Sequence, residues 1–272
     1  MMWPAPWSHR LHRALLALSP PSERLVRDFR FRRDNGIEDS VLAHFPLERR
    51  FDGRAVDVGA NIGAYSYAFA QGFDAVEAFE PQPSCATGIE RFAERAKHVR
   101  VHRLGLSDRR ARVVLNVPIV RGRFRDHRAT GLATLSAVGG RTDPLTIDVV
   151  PLDDFAFDDV SLIKIDVEGH ERAVIAGAER TIALTRPTLI VEIEQRHLHG
   201  SSIYDAFAQI ISLGYVGWFF RGDVLERLEE FSQERDQLPY VAEVAAGRTP
   251  DAYVNNFVFE PLDRRRPPLF AP

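Results

Sequence analysis

The chain has 272 residues, 45% hydrophobic and 27% charged, enough for one large globular domain or one domain with a small addition. Lys and Arg total 35 against 38 Asp and Glu, a formal net charge of -3, so no overall electrostatic pull toward nucleic acid is expected. The single cysteine, Cys85, excludes an internal disulfide and a cysteine-rich zinc site and suits a reducing cytoplasm, and no apolar run approaches the roughly 20 residues of a membrane span.

In chain order, residues 1–50 stand apart as an N-terminal helical extension. "LHRALLALSPP" has an apolar core shorter than the roughly 7–15 residues of a signal peptide. Seven arginines fall between Arg10 and Arg33, against Glu23 and Asp28, which reads as a helix with a solvated face, with contact to a membrane surface or an acidic partner as the alternative. "SVLAHF" reads as a short helix leading into the first strand. An alternation follows: "RAVDVG" strand, "IGAYSYAFAQG" helix, "DAVEAFEP" strand, "PSCATGIERFAERAKH" helix, "VRVHRLGLSD" strand. Strand and helix at this spacing mean a parallel α/β sheet. Residues 111–151 break the rhythm, because "ARVVLNV" and "LTIDVVPL" alternate like antiparallel strands. They are expected to form an insertion with a mobile loop near 119–143. The alternation resumes with "VSLIKIDVEG" (strand), "HERAVIAGAERTIAL" (helix), "PTLIVEIE" (strand), "SIYDAFAQIISLG" (helix) and "YVGWFF" (strand), and "NNFVFEP" is the final strand. The main domain is therefore expected over 51–262, with 263–272 as a C-terminal tail.

The ligand end of such a sheet lies beyond the carboxyl ends of its strands, where the strand order reverses. "AVDVGANIGAYS" places Asp57 before Gly59, with Gly63 opening the helix. The spacing is G-x-x-x-G. The dinucleotide fingerprint needs G-x-G-x-x-G, and Asn61 stands where its middle glycine would be. A carboxylate beside the turn would repel a pyrophosphate and suits a cationic ligand. Glu80, ending the second strand, is placed to accept hydrogen bonds from two ribose hydroxyls. Ser107 and Asp108, after the third strand, lie where an adenine amino group could be held. A ribose with a positive end describes S-adenosylmethionine, which carries an ammonium and a sulfonium.

These stretches, "VDVGANIGAYS", "VEAFEP", "GLSD" and "PLDDF", together with "LIKIDVEGHERAVIAGA" at 162–178, resemble the FkbM family of class I S-adenosylmethionine-dependent methyltransferases, over about 53–260. The resemblance implies a Rossmann-like, seven-stranded, mostly parallel sheet of order 3-2-1-4-5-7-6 with helices on both faces. It also implies O-methylation of a hydroxyl on a sugar, glycan or natural product, with S-adenosylmethionine as cofactor. Asp57, Gly59, Asn61 and Gly63 would line the methionine end, Glu80 the ribose, and Ser107 and Asp108 the adenine.

"KIDVEGHE" gathers Asp166, Glu168, His170 and Glu171 within six residues. Methyl transfer is an in-line displacement on a sulfonium, so the protein must align an oxygen with the methyl and help remove its proton. Asp166, Glu168 and His170, with Glu194 from "VEIEQRH", are the catalytic candidates; Glu171 reads as a helix-dipole partner. Asp166 with Glu194 could hold a divalent ion, but no H-x-x-x-H or carboxylate-rich loop calls for a metal, and none is favoured. Lys164 shares a face with Asp166. His197 and His199 read as surface residues of a loop over the acceptor pocket. Cys85 reads as a packed small residue, and Asn255 and Asn256 as the end of a turn. The expected partner is a small-molecule or glycan acceptor, not nucleic acid. The competing readings are an NAD(P)-dependent Rossmann oxidoreductase and a non-catalytic module that keeps the cofactor fold.

Overall fold

A computed structural model of the chain describes residues 12, 15–34, 39–120, 127–128, 133–135, 141–198, 200–245, 250–264 and 266–270. Most of the loop expected near 119–143, and His199, lie outside these residues. In chain order the elements are helix α1 (Arg24–Asp34), helix α2 (Ser40–Ala43), strand β1 (Phe51–Val58), helix α3 (Ala64–Ala70), strand β2 (Phe73–Phe79), helix α4 (Pro83–Ala93) and strand β3 (Val99–His102). The inserted segment holds strands β4 (Gly105–Leu106), β5 (Ala111–Val120), β6 (His127–Arg128) and β7 (Thr142–Val150). Strand β8 (Val160–Ile165), helices α5 (Glu171–Ala176) and α6 (Glu179–Thr185), strand β9 (Thr188–Glu192), helix α7 (Ile203–Ser212) and strands β10 (Tyr215–Arg221), β11 (Val224–Arg227) and β12 (Asn256–Pro261) complete the frame.

The main sheet runs β11-β10-β12-β9-β8-β1-β2-β3. The central pairings of β1 with β2 and β8, β2 with β3, and β8 with β9 are parallel, and β12 lies antiparallel between β9 and β10. This is the expected order 3-2-1-4-5-7-6 with one strand more. The seven-strand expectation is corrected by β11, which pairs antiparallel with β10 through Arg221↔Val224 and leaves Gly222 and Asp223 as a two-residue turn. Gly222 has φ 59, the left-handed conformation such a hairpin turn demands. The Gly-Asp signal stood in the sequence. A polar, half-exposed edge strand carries too weak an alternation to announce itself.

Two further differences have local causes. The stretch "VRVHRLGLSD" is not one strand, because Gly105 and Leu106 leave the main sheet to pair with Val149 and Val150 of β7. The helix expected from 170 to 184 is two helices. The Gly177 carbonyl accepts from Asp153 N at 3.0 Å, and the Asp153 carboxylate caps a fresh N-terminus, accepting from Arg180 N at 2.9 Å and Thr181 N at 2.8 Å. The "PLDDF" segment thus serves α6 as its cap.

Strand periodicity divides the core between the two sheet faces. Ile163 and Ile165 of β8 pack with Val56, Val58, Val174 and Phe257 on one side. Leu162 packs with Ala55, Val76 and Ile190 on the other. The N-terminal segment belongs to the second face: Leu25 and Phe29 are buried there, and the Phe29 ring sits 4.8 Å from that of Tyr67. At the far end the tail packs down. Arg49 donates to Pro268 O at 2.7 Å, and Leu269 N donates to Glu260 Oε1 at 2.8 Å. No helix among the described residues is long and apolar enough to cross a membrane.

Candidate active site

A cleft of about 630 Å³, counting space open to solvent, lies over the carboxyl ends of β1, β2 and β8. This is where the strand order reverses and where ligands sit in open α/β sheets. The strand ends make its polar floor, while Leu115, Ile147 and Val149 of the inserted β5–β7 pair bring an apolar wall. Thr134 of the insertion ties that wall to the floor, its Oγ1 donating to Glu168 O at 2.7 Å.

Gly59 ends β1 with φ 76, and a Cβ placed there would lie well inside 3.0 Å of the Asp166 carbonyl oxygen. The glycine is required first by the neighbouring strand end and only then by any ligand. Asn61 also has a positive φ, 47. Its N–H donates to Glu80 Oε2 at 2.8 Å, and Gln82 N donates to Glu80 Oε1 at 2.7 Å. Glu80 is 3% exposed, and burial pushes its carboxyl up to about 7 against the pull of those two N–H groups. The Gln82 side chain also hydrogen-bonds this carboxyl and opposes the rise.

Gly63 caps α3 and packs on Ile89 and Leu25, away from the cleft lining. Asp57 also sits behind the floor. It is 2% exposed and its Oδ2 accepts from Ser66 Oγ at 2.5 Å; burial raises it to about 6, with Ser66 and Lys164 opposing. Ser107 is buried, Asp108 faces solvent beside Arg109, and the Ser107 Oγ lies 2.9 Å from His170 Nε2. His170 lines the cleft, and burial depresses its imidazole below the ordinary value.

Asp166 and Glu168 both line the cleft. Beneath Asp166 lies Lys164, 1% exposed, its Nζ 3.6 Å from Asp166 Oδ2, 3.8 Å from Glu192 Oε2 and 5.0 Å above the centre of the Tyr65 ring. Burial alone would strip its charge, but Asp166, Glu192, Asp39 and Asp57 together hold its pKa above the usual lysine value. Glu192 is driven well above the carboxylate range by burial and by the Asp166 charge, and it accepts from Asn255 Nδ2 at 2.6 Å. Glu168, in the left-handed region at φ 51, pairs with His197 Nδ1. Glu194 lies behind them, held bidentately by Arg196 and bonded by the Tyr253 hydroxyl.

Glu168, Glu194 and His197 offer donor atoms within 4.8 Å of one another. A divalent ion there would compete with the Arg196 guanidinium for both Glu194 oxygens. Asp166, the other expected ligand, has its own ammonium in Lys164.

Glu171, the first residue of α5, is 2% exposed; its Oε1 accepts from Gly169 N at 2.8 Å and its Oε2 has no partner among the described residues. Burial raises it to about 7. A carboxyl whose folded pKa exceeds its unfolded value binds more protons in the native state, so its ionisation destabilises the fold as pH rises from about 4.5 through 7. Glu171→Gln keeps the acceptor and removes the charge. Thermal denaturation should show the variant more stable than wild type by about 1–3 kcal/mol at pH 8 and nearly equal to it at pH 5. An equal gain at both pH values would contradict this account.

Sequence reasoning missed the apolar wall, Gln82, Tyr253 and the inward position of His197. The period-two positions Ile147 and Val149 signalled a buried face, but only the fold shows that this face meets the cleft. His197 had no sequence signal beyond its closeness to Glu194.

The sheet order and a cleft at the strand ends define the architecture of a class I methyltransferase. Residues 57–217 match the family described as the methyltransferase FkbM domain, more than half of the chain, and the chain belongs to that family. Among solved structures it is similar to the methyltransferase FkbM from Methylobacillus flagellatus KT, with 20% identity, a TM-score of 0.51 and coverage of 93% of this chain. The chain spans 59% of the length of that protein, and at this identity the likeness concerns the fold. Weaker likenesses are to precorrin-6y C5,15-methyltransferase from Geobacter metallireducens GS-15 (12% identity, 68% of this chain and 74% of that one, TM-score 0.39). A similar one is to magnesium protoporphyrin IX methyltransferase from Synechocystis PCC 6803 with bound SAM (12% identity, 88% and 83%, TM-score 0.40). Neither carries an argument about this chain. No curated protein sequence matches it.

Proposed function

We propose that the protein is an S-adenosylmethionine-dependent O-methyltransferase acting in the cytoplasm on a hydroxyl of a sugar, glycan or other natural product. The observation that carries the reading is Glu80. It is a buried carboxylate fixed by two backbone N–H groups at the end of β2 and set on the cleft lining beside the Gly59 turn, where a carboxylate can receive a vicinal diol. Bound S-adenosylmethionine would supply an electrophilic methyl on a sulfonium. The chain's own residues would orient the acceptor oxygen, exclude water and take its proton.

On this reading the apolar wall of Leu115, Ile147 and Val149 covers the adenine, and His170 belongs with Ser107 at that end, since the two are 2.9 Å apart. His170 then stands away from the reacting methyl. Glu194, spent on Arg196 and Tyr253, is a supporting group. Asp166 and Glu168 remain as acids on the cleft lining where an acceptor hydroxyl would arrive. Asp57 acts from behind the floor, through Ser66 and the field it adds beside Lys164.

Calorimetric titration with S-adenosylmethionine, S-adenosylhomocysteine and NAD tests the reading. Binding of both S-adenosyl compounds and not NAD is expected. Binding of NAD alone would remove the methyltransferase reading. Cofactor binding without S-adenosylhomocysteine release across a broad panel of hydroxylated acceptors would favour the non-catalytic module.

A further inference from the structure

The strand-end acids differ in what stands behind them. Asp166 is ion-paired with the Lys164 ammonium 3.6 Å away. Glu168 has no lysine or arginine salt bridge of its own among the described residues; its carboxylate pairs with the imidazole of His197, a group able to share a proton with it. That pair is built in from both sides. Gly169 sits with φ 95 where a Cβ would lie within 3.3 Å of the His197 main chain and side chain, so the two loops touch directly. The Glu168 carbonyl is pinned by Thr134 Oγ1 at 2.7 Å. His197 is carried on the short turn Gln195–His197, whose first residue is held through Gln195 N to Gln237 Oε1 at 3.0 Å. The imidazole side chain is 15% exposed and Glu168's is 11% exposed, so water competes weakly for their contact.

We propose that His197 is a positioning residue that keeps the Glu168 carboxylate ionised and aimed into the cleft, so that Glu168 takes the acceptor proton during methyl transfer. The step balances simply. The acceptor oxygen bonds to the methyl as the methyl–sulfur bond breaks with its electrons going to sulfur, and the hydroxyl proton passes to a Glu168 oxygen. His197 Nδ1–H donates to the other oxygen and holds it in place. The inference rests on the methyltransferase reading above.

The charges around the pair favour this division of labour. Burial raises the Glu168 pKa, His197 pulls it back, and Asp166 and Glu194 raise it again. Burial works against a charged His197, but Glu168 and Glu194 hold its pKa above the ordinary value, with Arg196 opposing. The other ionisable groups of the surrounding elements are Lys164 on β8, Glu192 on β9, Glu171 on α5 and Tyr253 before β12. Without His197, burial and the neighbouring acids would act on this carboxyl unopposed by the imidazole, and its proton affinity would rise.

The test uses the full chain in two measurements that need no acceptor. In ring-nitrogen NMR, assigned with His197→Asn, His197 should titrate above the ordinary value of about 6.5, and Glu168→Gln should lower its midpoint by a pH unit or more. In the second, affinities for S-adenosylmethionine and S-adenosylhomocysteine are compared from pH 6 to 9. An ionised Glu168 favours the sulfonium over the neutral thioether. His197→Ala should cut that preference about three- to tenfold at pH 7 and regain it near pH 9, while His197→Asn, which keeps an N–H at the Nδ1 position, should retain most of it. An ordinary His197 midpoint untouched by Glu168→Gln, or a His197→Ala preference that follows wild type at every pH, overturns the proposal. Failure of wild type to bind either S-adenosyl compound overturns instead the reading on which it rests.

Discussion

Glu80→Ala is expected to weaken S-adenosylmethionine binding by more than tenfold, more than about 1.4 kcal/mol, as read by calorimetry near pH 8. Two effects add. The ribose would lose its acceptor, and the N–H groups of Asn61 and Gln82, which now donate to Oε2 and Oε1, would be left buried beside a void. An orphaned buried donor costs about 1–3 kcal/mol, so some loss of stability should accompany the loss of affinity. The wild-type affinity should itself depend on pH. Burial raises Glu80 to about 7 in the free protein, and only the ionised form accepts from both ribose hydroxyls while keeping its backbone bonds. Affinity should therefore decline as pH falls through about 7. An unaltered affinity in a folded Glu80→Ala protein would remove the ribose assignment.

Gly59→Ala is expected to cost more than about 3 kcal/mol and to leave little folded protein at 37 °C by circular dichroism. The added methyl would meet the Asp166 carbonyl oxygen and carbon, main-chain atoms that no rotamer change can move, in a residue already at φ 76. Relief would require pulling β1 and β8 apart where Asp166 N donates to Val58 O at 3.0 Å. Gly88 is the control. It lies inside α4, nothing stands within 4 Å of its added Cβ, and Gly88→Ala should stabilise by about 0.5–1 kcal/mol. Similar melting of both variants would show that the contact between the strand ends is not what demands glycine.

Much of this architecture was legible from residue pattern. The alternation of buried strands and amphipathic helices implied a parallel α/β sheet, and the acids and glycines after β1, β2 and β8 marked its ligand edge. Patterns failed where the deciding partner is remote in sequence. His197 reads as a surface residue, yet it closes on Glu168 because β8 and β9 end side by side, Ile165 pairing with Val191.

The amino-acid sequence by itself determined the fold class and the edge of the sheet at which chemistry is to be sought, because hydrophobic periodicity and turn glycines act over a few residues, and its motifs carried the resemblance to the family. Only the tertiary structure decided which acid has a lysine, which an arginine and which a histidine as its partner. Proton affinity in a buried site depends on neighbours within a few ångströms, and here those neighbours come from strands and loops far apart along the chain.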